Sequence, residues 1–207
     1  MSTPSKPNPI PNLLTALRLL AGVIMFLMLA GAMGGVPLLS AYLSPEDQFA
    51  LQRTAFIIFV IAASTDWVDG FLARRWHAES RWGAILDPIA DMILVTGTIV
   101  GLLASGTSAD VVIPYGLILF REFAVSALRE TTAGRIELKV TMLAKWKTTL
   151  QLVALGAQLL ALIWTGAEDN WMPTFVTFAD ILVWVAALVT LWTGWQYFSK
   201  AREGLKG

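Results

Sequence analysis

The side chains able to do chemistry in this chain are carboxylates. Asp66 and Asp69 stand at i, i+3, and Asp87 and Asp91 at i, i+4. On helices each pair shares one face, about one turn apart. Both pairs lie within otherwise apolar stretches, where an ionisable residue is expensive and functional by default. Four acids brought close together repel one another unless cations intervene. The chain has one His and no Cys, which excludes thiolate catalysis, a disulfide framework and Cys-ligated metal. Oxygen ligation remains, and it suits Mg²⁺ or Mn²⁺. The competing account pairs the acids with Arg74, Arg75 and Arg81, but it gives no reason for four acids at these spacings. Gly70, Ala73 and Gly83 follow the same stripe, and their lack of bulk lets a ligand lie against the backbone. Taken singly, each Gly also fits plain helix packing. Arg74 lies just beyond, where a guanidinium can grip phosphate. Pro88, beside Asp87, is expected to kink its helix.

The elements that carry these residues read as membrane spans. The 207 residues are 56% hydrophobic and only 14% charged, with a mean hydropathy of +0.64. A soluble domain is about 45–50% apolar and about 25% charged. A spanning helix takes about 20 apolar residues, so six spans use roughly 130 and leave no room for a second large domain. The hydropathy pattern predicts spans over 12–33, 53–73, 82–104, 111–129, 144–165 and 175–198. The expected organisation is an all-α integral membrane protein with an irregular lead-in over 1–11, one six-helix domain over 12–198 and a tail over 199–207. The Pro-rich start, MSTPSKPNPIP, is unlike a cleavable signal peptide.

Lys6 and Arg18, then Arg74, Arg75 and Arg81, then Arg129, Arg135, Lys139, Lys145 and Lys147, and finally Lys200, Arg202 and Lys206 mark one side. Glu46, Asp47, Asp110, Glu168 and Asp169 mark the other, with Arg53 as the nearby cation. Positive charge marks the cytoplasmic side, so both termini and the 2–3 and 4–5 loops are expected there. Trp146, Trp164, Trp171 and Trp195 fall near span ends, as interfacial anchors do. Formal net charge is +0, and nothing global points to nucleic acid. His77 falls in a loop and reads as solvated.

Residues 66–91 spell D-x2-D-G-x2-A-R-x8-G-x3-D-x3-D. This pattern resembles the signature of the CDP-alcohol phosphatidyltransferase family, with all eight fixed positions matched without a gap. The resemblance implies a six-helix membrane fold, commonly homodimeric, with a cytoplasm-facing polar cavity. It also implies two divalent ions and displacement of CMP from a CDP-linked lipid. Carried over residue by residue, Asp66, Asp69 and Asp87 hold metal, and Asp91 is both ligand and general base. Gly70, Arg74 and Ser80 contact the CDP moiety.

The rest of the chain resembles the bacterial phosphatidylglycerophosphate synthases within that family. The stretches that carry this are PNLLTALRLL with its N-x2-T-x2-R opening, DWVDGFLARRW, REFAVSALRE, KWKTTLQLVAL and TLWTGWQYFSKAR. The segment TTAGRIELKVTML fits less well. The implied substrates are CDP-diacylglycerol and sn-glycerol 3-phosphate, and the implied location is the bacterial inner membrane. Independently, Arg121, Ser126 and Arg129 cluster at the cytoplasmic end of span four, and Lys145 and Lys147 open span five. A dianionic acceptor needs such cations and a neutral alcohol does not. The competing account pairs Arg121 and Arg129 with Glu122 and Glu130 and gives the lysines to orientation. Asn12 and Thr15 can reach the nucleotide from span one, although N-capping would also explain them. No Ser/His or Cys/His pair is present for a covalent intermediate, which favours direct transfer. Other readings are a transferase for inositol phosphate, inositol, serine or phosphatidylglycerol, an intramembrane prenyltransferase, or a divalent-cation transporter.

Overall fold

The computed structural model describes residues 10–35, 42–76, 81–132, 142–164 and 170–204. Among them are six long helices and no strand: α1 (Ile10–Ala32), α2 (Pro45–Trp76), α3 (Arg81–Ala104), α4 (Val112–Thr132), α5 (Met142–Trp164) and α6 (Met172–Gly204). A short 3₁₀ turn, Ala109–Val111, leads into α4. All six helices are long and apolar enough to cross a membrane, so the chain is a multi-pass membrane protein of the expected all-α class.

Two boundaries differ from the hydropathy reading for physical reasons. The second helix begins at Pro45 rather than near residue 53. Ser44 and Asp47 start it with a reciprocal cap: the Asp47 amide donates to Ser44 Oγ at 3.2 Å, and the Ser44 amide donates to Asp47 Oδ2 at 3.0 Å. Such caps satisfy orphan amides with side chains that a hydropathy scan counts as loop. The last helix continues to Gly204, so the segment read as a tail begins as helix. α3 stays helical through Pro88.

The chain forms two compact units, residues 1–105 and 106–207. In the first, α1 packs against both α2 and α3. Met25 and Leu29 of α1, Ala55, Phe59 and Ala62 of α2, and Ala90, Leu94, Ile99 and Leu102 of α3 are all buried. Glycine makes the α1–α3 approach possible. A Cβ at Gly97 would sit 3.2 Å from Phe26 Cβ, and one at Gly101 only 2.9 Å from Leu29 Cβ and 2.5 Å from its Cδ1. The Gly97-x3-Gly101 pair is therefore used inside the protomer, as small residues at close helix crossings are.

In the second unit α6 takes the central part, packing against α4 and α5. Its Ala179, Val183, Ala186 and Ala187 are buried with Tyr115 and Ile118 of α4 and Ala154, Leu155 and Leu159 of α5. Trp164 and Trp171 meet edge to face across the α5–α6 connection, with ring centroids 5.8 Å apart. Trp146, Trp164, Trp171 and Trp195 are all exposed, as interfacial anchors require. Large apolar side chains such as Leu13, Leu17, Leu27, Ile181, Leu188 and Trp192 also face outward. In water that would be a liability, whereas lipid is their natural solvent.

Gly101→Leu should lower the detergent-solubilised protein's melting temperature, because Leu29 Cβ cannot rotate out of the way and overpacking costs about 1–3 kcal/mol. Adding Leu29→Ala should restore part of the loss. Unchanged melting in the single variant would show that α1 and α3 do not cross this closely.

Candidate functional site

The site begins with helix register. Asp66, Asp69, Gly70, Ala73 and Arg74 all lie within the single helix α2, and Gly83, Asp87 and Asp91 within α3. The two acidic pairs thus keep the i, i+3 and i, i+4 helical spacing on which their shared faces depend. The side chains of residues 66–76 lie outside the described residues, as does Ser80 with His77. Gly83 is buried one turn before Asp87.

The third and fourth acids are held by α1. Thr15 Oγ1 donates to Asp87 Oδ1 at 2.6 Å. Arg18 Nη1 donates to Asp91 Oδ1 at 2.7 Å. Because Thr15 and Arg18 are at i, i+3 and Asp87 and Asp91 at i, i+4, two helical faces meet rung for rung. Thr15 and Arg18 are buried at 2% and 1% exposure, while the Asp91 side chain stays 35% exposed. The carboxylate is anchored on one side and accessible on the other.

This geometry changes the sequence reading at α1. The helix starts at Ile10, so Asn12 and Thr15 are inside it and neither is an N-cap. Thr15, expected to face nucleotide, is engaged with Asp87. Arg18, read as an orientation residue and as the R of the N-x2-T-x2-R opening but given no role at the acids, is in contact with the fourth of them. Its signal was present: an Arg in the apolar run LLTALRLLAGV, one helical turn after Thr15. The ion-pair alternative named Arg74, Arg75 and Arg81, whose side chains lie outside the described residues; among the described residues Arg18 is a cation on Asp91.

A second polar cluster lies inside the 106–207 unit. Glu122 of α4 accepts hydrogen bonds from Lys147 Nζ and, at 3.0 Å, from Gln151 Nε2, both of α5. Arg121 Nη1 reaches the other Glu122 oxygen at 3.3 Å. Gln151 also donates to Thr190 Oγ1 of α6 at 2.9 Å, and Arg121 Nη2 donates to Thr193 Oγ1 at 3.1 Å. Arg129 Nη2 donates to Tyr197 OH at 2.9 Å. Two cations, Arg121 and Lys147, thus stand against one carboxylate, Glu122, and a third, Arg129, shares the Tyr197 ring with Arg121.

Of the expected acceptor residues, Arg121 and Lys147 are buried and committed to Glu122. Arg129 and Ser126 are exposed on α4. Lys145 is in the first turn of α5, with its side chain outside the described residues. The expected alternative for Arg121, pairing with Glu122, is realised. For Arg129 it is not, since its partner is Tyr197 rather than Glu130. Glu122 was weighed only as a competitor for Arg121. Gln151, Thr190, Thr193 and Tyr197 were not singled out at all, and a polar residue inside a span was the only signal they offered.

The sequence matches the CDP-alcohol phosphatidyltransferase family over residues 8–192. It is 38% identical to a Cereibacter sphaeroides protein named CDP-diacylglycerol--glycerol-3-phosphate 3-phosphatidyltransferase, over 95% of this chain and 97% of that one. It is 43% identical to an Escherichia coli protein of the same name, over 73% of this chain and 80% of the relative. A Haemophilus influenzae protein, also so named, is 39% identical over 72% and 77% of the two chains.

The Arg18–Asp91 pair should register as a coupling. Arg18→Leu and Asp91→Asn, made singly and together, should give a double-mutant coupling of about 0.5–3 kcal/mol in unfolding free energy. Partial exposure of Asp91 keeps this below the roughly 3–5 kcal/mol of a fully buried pair. Strictly additive variants would mean that the contact contributes nothing to holding α1 on α3.

Proposed function

Since the chain belongs to the CDP-alcohol phosphatidyltransferase family, we propose that it is the enzyme that transfers phosphatidyl from CDP-diacylglycerol to sn-glycerol 3-phosphate, releasing CMP. The product would be phosphatidylglycerophosphate, an intermediate of anionic phospholipid synthesis. The observation that carries the reading is the unbroken acidic motif, with Asp66 and Asp69 on α2 and Asp87 and Asp91 on α3. The shared name of relatives similar along most of the chain supports the acceptor. Transfer to another alcohol, such as inositol phosphate, inositol, serine or phosphatidylglycerol, is the alternative. A panel of acceptors offered with CDP-diacylglycerol to the purified protein, with CMP and lipid product both followed, separates the two.

The family depends on divalent metal. The residues fit such ions: the donors are hard carboxylate oxygens on helical elements, α1 anchors one oxygen each of Asp87 and Asp91, and Asp91 remains accessible. We read two Mg²⁺ or Mn²⁺ ions held by Asp66, Asp69, Asp87 and Asp91. When bound, such ions neutralise the pyrophosphate and the charge that develops on departing CMP. Asp91 accepts the proton of the primary hydroxyl of glycerol 3-phosphate. The freed oxygen forms a bond to the lipid-bearing phosphorus as the bond from that phosphorus to the CMP oxygen breaks. Arg18 keeps the Asp91 carboxylate in one orientation for that transfer, and geometry is the first requirement of a general base. Gly70, Ala73 and Gly83 leave space for the nucleotide, with Asn12, Arg74 and Ser80 as its remaining contacts, while Thr15 orients Asp87. Arg129, with Ser126 and Lys145, receives the acceptor phosphate, while Arg121 and Lys147 supply positive field from behind.

The positive residues of the sequence support an inner-membrane orientation with both termini and the site in the cytoplasm. We read the assembly as a homodimer, as the resemblance implies. Its interface does not use Gly97 and Gly101, which meet Phe26 and Leu29 of their own chain.

Two outcomes test this reading. Chelation should abolish CMP release, and added Mg²⁺ or Mn²⁺ should restore it; full turnover of metal-free protein in excess EDTA would sink the metal-dependent mechanism. Arg129→Ala should raise the KM for sn-glycerol 3-phosphate roughly tenfold to more than a hundredfold, the equivalent of about 1.5–3 kcal/mol for a lost charge-assisted bond. The KM for CDP-diacylglycerol should stay nearly constant, and Arg129→Lys should recover only part, since an ammonium cannot make the bidentate contact. An equal rise in both KM values would reduce Arg129 to scaffolding.

A further inference from the structure

We infer that Tyr197 of α6 is a positioning residue for the acceptor phosphate, fixing the direction in which Arg129 presents its guanidinium. The inference rests on the acceptor reading above and adds a residue that makes no contact with substrate itself. Three observations carry it. First, the Tyr197 ring lies within reach of two guanidiniums at once, with its centroid 5.0 Å from Arg129 Cζ and 5.7 Å from Arg121 Cζ. Both distances fall within the range in which a ring face attracts a cation. Second, its hydroxyl accepts from Arg129 Nη2 at 2.9 Å, which adds direction to an otherwise non-directional attraction. Third, Tyr197 is buried at 5% exposure, whereas Arg129 is exposed. The fixed partner is thus the tyrosine, and the cation it holds is the one that solvent and a soluble phosphate can reach.

The neighbouring positions on α6 serve the same arrangement. Gly194, nearly one turn before Tyr197, leaves bare backbone beneath Arg121, and a Cβ there would lie 2.8 Å from Arg121 Cγ. Thr193 accepts from Arg121 Nη2, and its own hydroxyl donates to Thr190 O at 2.9 Å. Glu122 takes Arg121 Nη1. Both terminal nitrogens of Arg121 are therefore engaged, Nη1 by Glu122 and Nη2 by Thr193. Arg129 keeps one bond, to Tyr197, and its remaining guanidinium donors lie on an exposed residue. Two guanidiniums sharing one ring also repel each other. An arriving phosphate dianion relieves that repulsion, so the pair is set up to favour a doubly charged acceptor over a neutral one. A long, mobile Arg would otherwise lose rotamer freedom on gripping the phosphate; the tyrosine removes part of that cost beforehand.

Tyr197→Phe, which keeps the ring and loses the hydroxyl, should raise the KM for sn-glycerol 3-phosphate roughly threefold to tenfold, a fraction of a charge-assisted bond. The KM for CDP-diacylglycerol and kcat should stay within about twofold. Tyr197→Leu should raise the acceptor KM further, roughly another threefold to tenfold, as the cation–ring attraction goes too. In an Arg129→Ala background, Tyr197→Phe should add nothing. If Arg129→Ala raises the acceptor KM but Tyr197→Phe does not, the positioning role is overturned while the acceptor reading stands. If Arg129→Ala itself leaves acceptor kinetics unchanged, the acceptor reading falls and this role falls with it. A Tyr197→Phe effect of the same size on both substrates, or one that persists without Arg129, assigns Tyr197 to general packing and also overturns the inference. Should Tyr197→Leu fail to fold, the Phe variant and its Arg129→Ala double decide alone.

Discussion

A charged side chain inside a bilayer cannot be satisfied by its surroundings, and it has to find its counterpart on another helix. That constraint organises both units of the chain. In the first, the Arg18 side chain of α1 lies fully buried and donates from Nη1 to Asp91 of α3. In the second, Glu122 of α4 draws Lys147 and Gln151 of α5. Lipid tails offer helices little hydrophobic drive to associate, because tails and leucines are equally apolar. Polar pairs and close backbone crossings must supply more of the specificity than they would in water. The Gly22, Gly97 and Gly101 surfaces do so for α1 and α3, where a Cβ would run into Ile93, Phe26 or Leu29.

On the proposed reading, the same pairs that hold the helices would also prepare the chemistry. A catalytic carboxylate needs a fixed direction, and an unheld Asp at the end of a short stem has several. Thr15 and Arg18 remove that freedom from Asp87 and Asp91 while leaving Asp91 one-third exposed. A structural pair would be driven towards full burial. Here the cation is buried and the acid is accessible, an asymmetry that a purely structural role does not call for. In the second unit the pattern is reversed in sign: Glu122 lies among the committed cations, and the exposed member of the cluster is Arg129.

Much of this was readable in the sequence, for identifiable reasons. Six spans follow from apolar runs that need no partner to be recognised. The acid motif is local, with each pair within one turn of its own helix, and spacing alone reports it. The role of α1 was not readable in the same way. Thr15 and Asp87 are 72 residues apart, and nothing in either neighbourhood announces the other. Arg18 was visible as an anomaly in an apolar run and as the R of the N-x2-T-x2-R opening, but neither signal names its partner on α3. Pairing of Arg121 with Glu122 was one of two open readings, and Lys147 was not connected to Glu122 at all, because sequence shows charges without showing which are already spent. The helix ends were misjudged where polar residues continue a helix beyond the apolar stretch, as at the Ser44–Asp47 cap and in α6 up to Gly204.

The zero formal charge of the chain conceals a division of labour. The described polar cluster of the first unit gathers around acids that suit a divalent cation; that of the second gathers cations in excess of its one carboxylate and suits an anion. A phosphatidyl transfer to a phosphorylated alcohol needs both, because the donor is a pyrophosphate whose charge must be neutralised and the acceptor carries a second phosphate that must be gripped separately. If one cluster served both, the cations that hold the acceptor would compete with metal for the donor's oxygens and would pair with the very acids that bind the metal. Committing Arg121 and Lys147 to Glu122 fixes them in place and keeps their field near Arg129. Arg18 is buried against Asp91 and holds the carboxylate in one orientation. On the proposed reading, keeping acid-centred and cation-centred clusters on separate sets of helices, each closed by its own internal pair, would let two polyanionic substrates be bound by one small membrane chain.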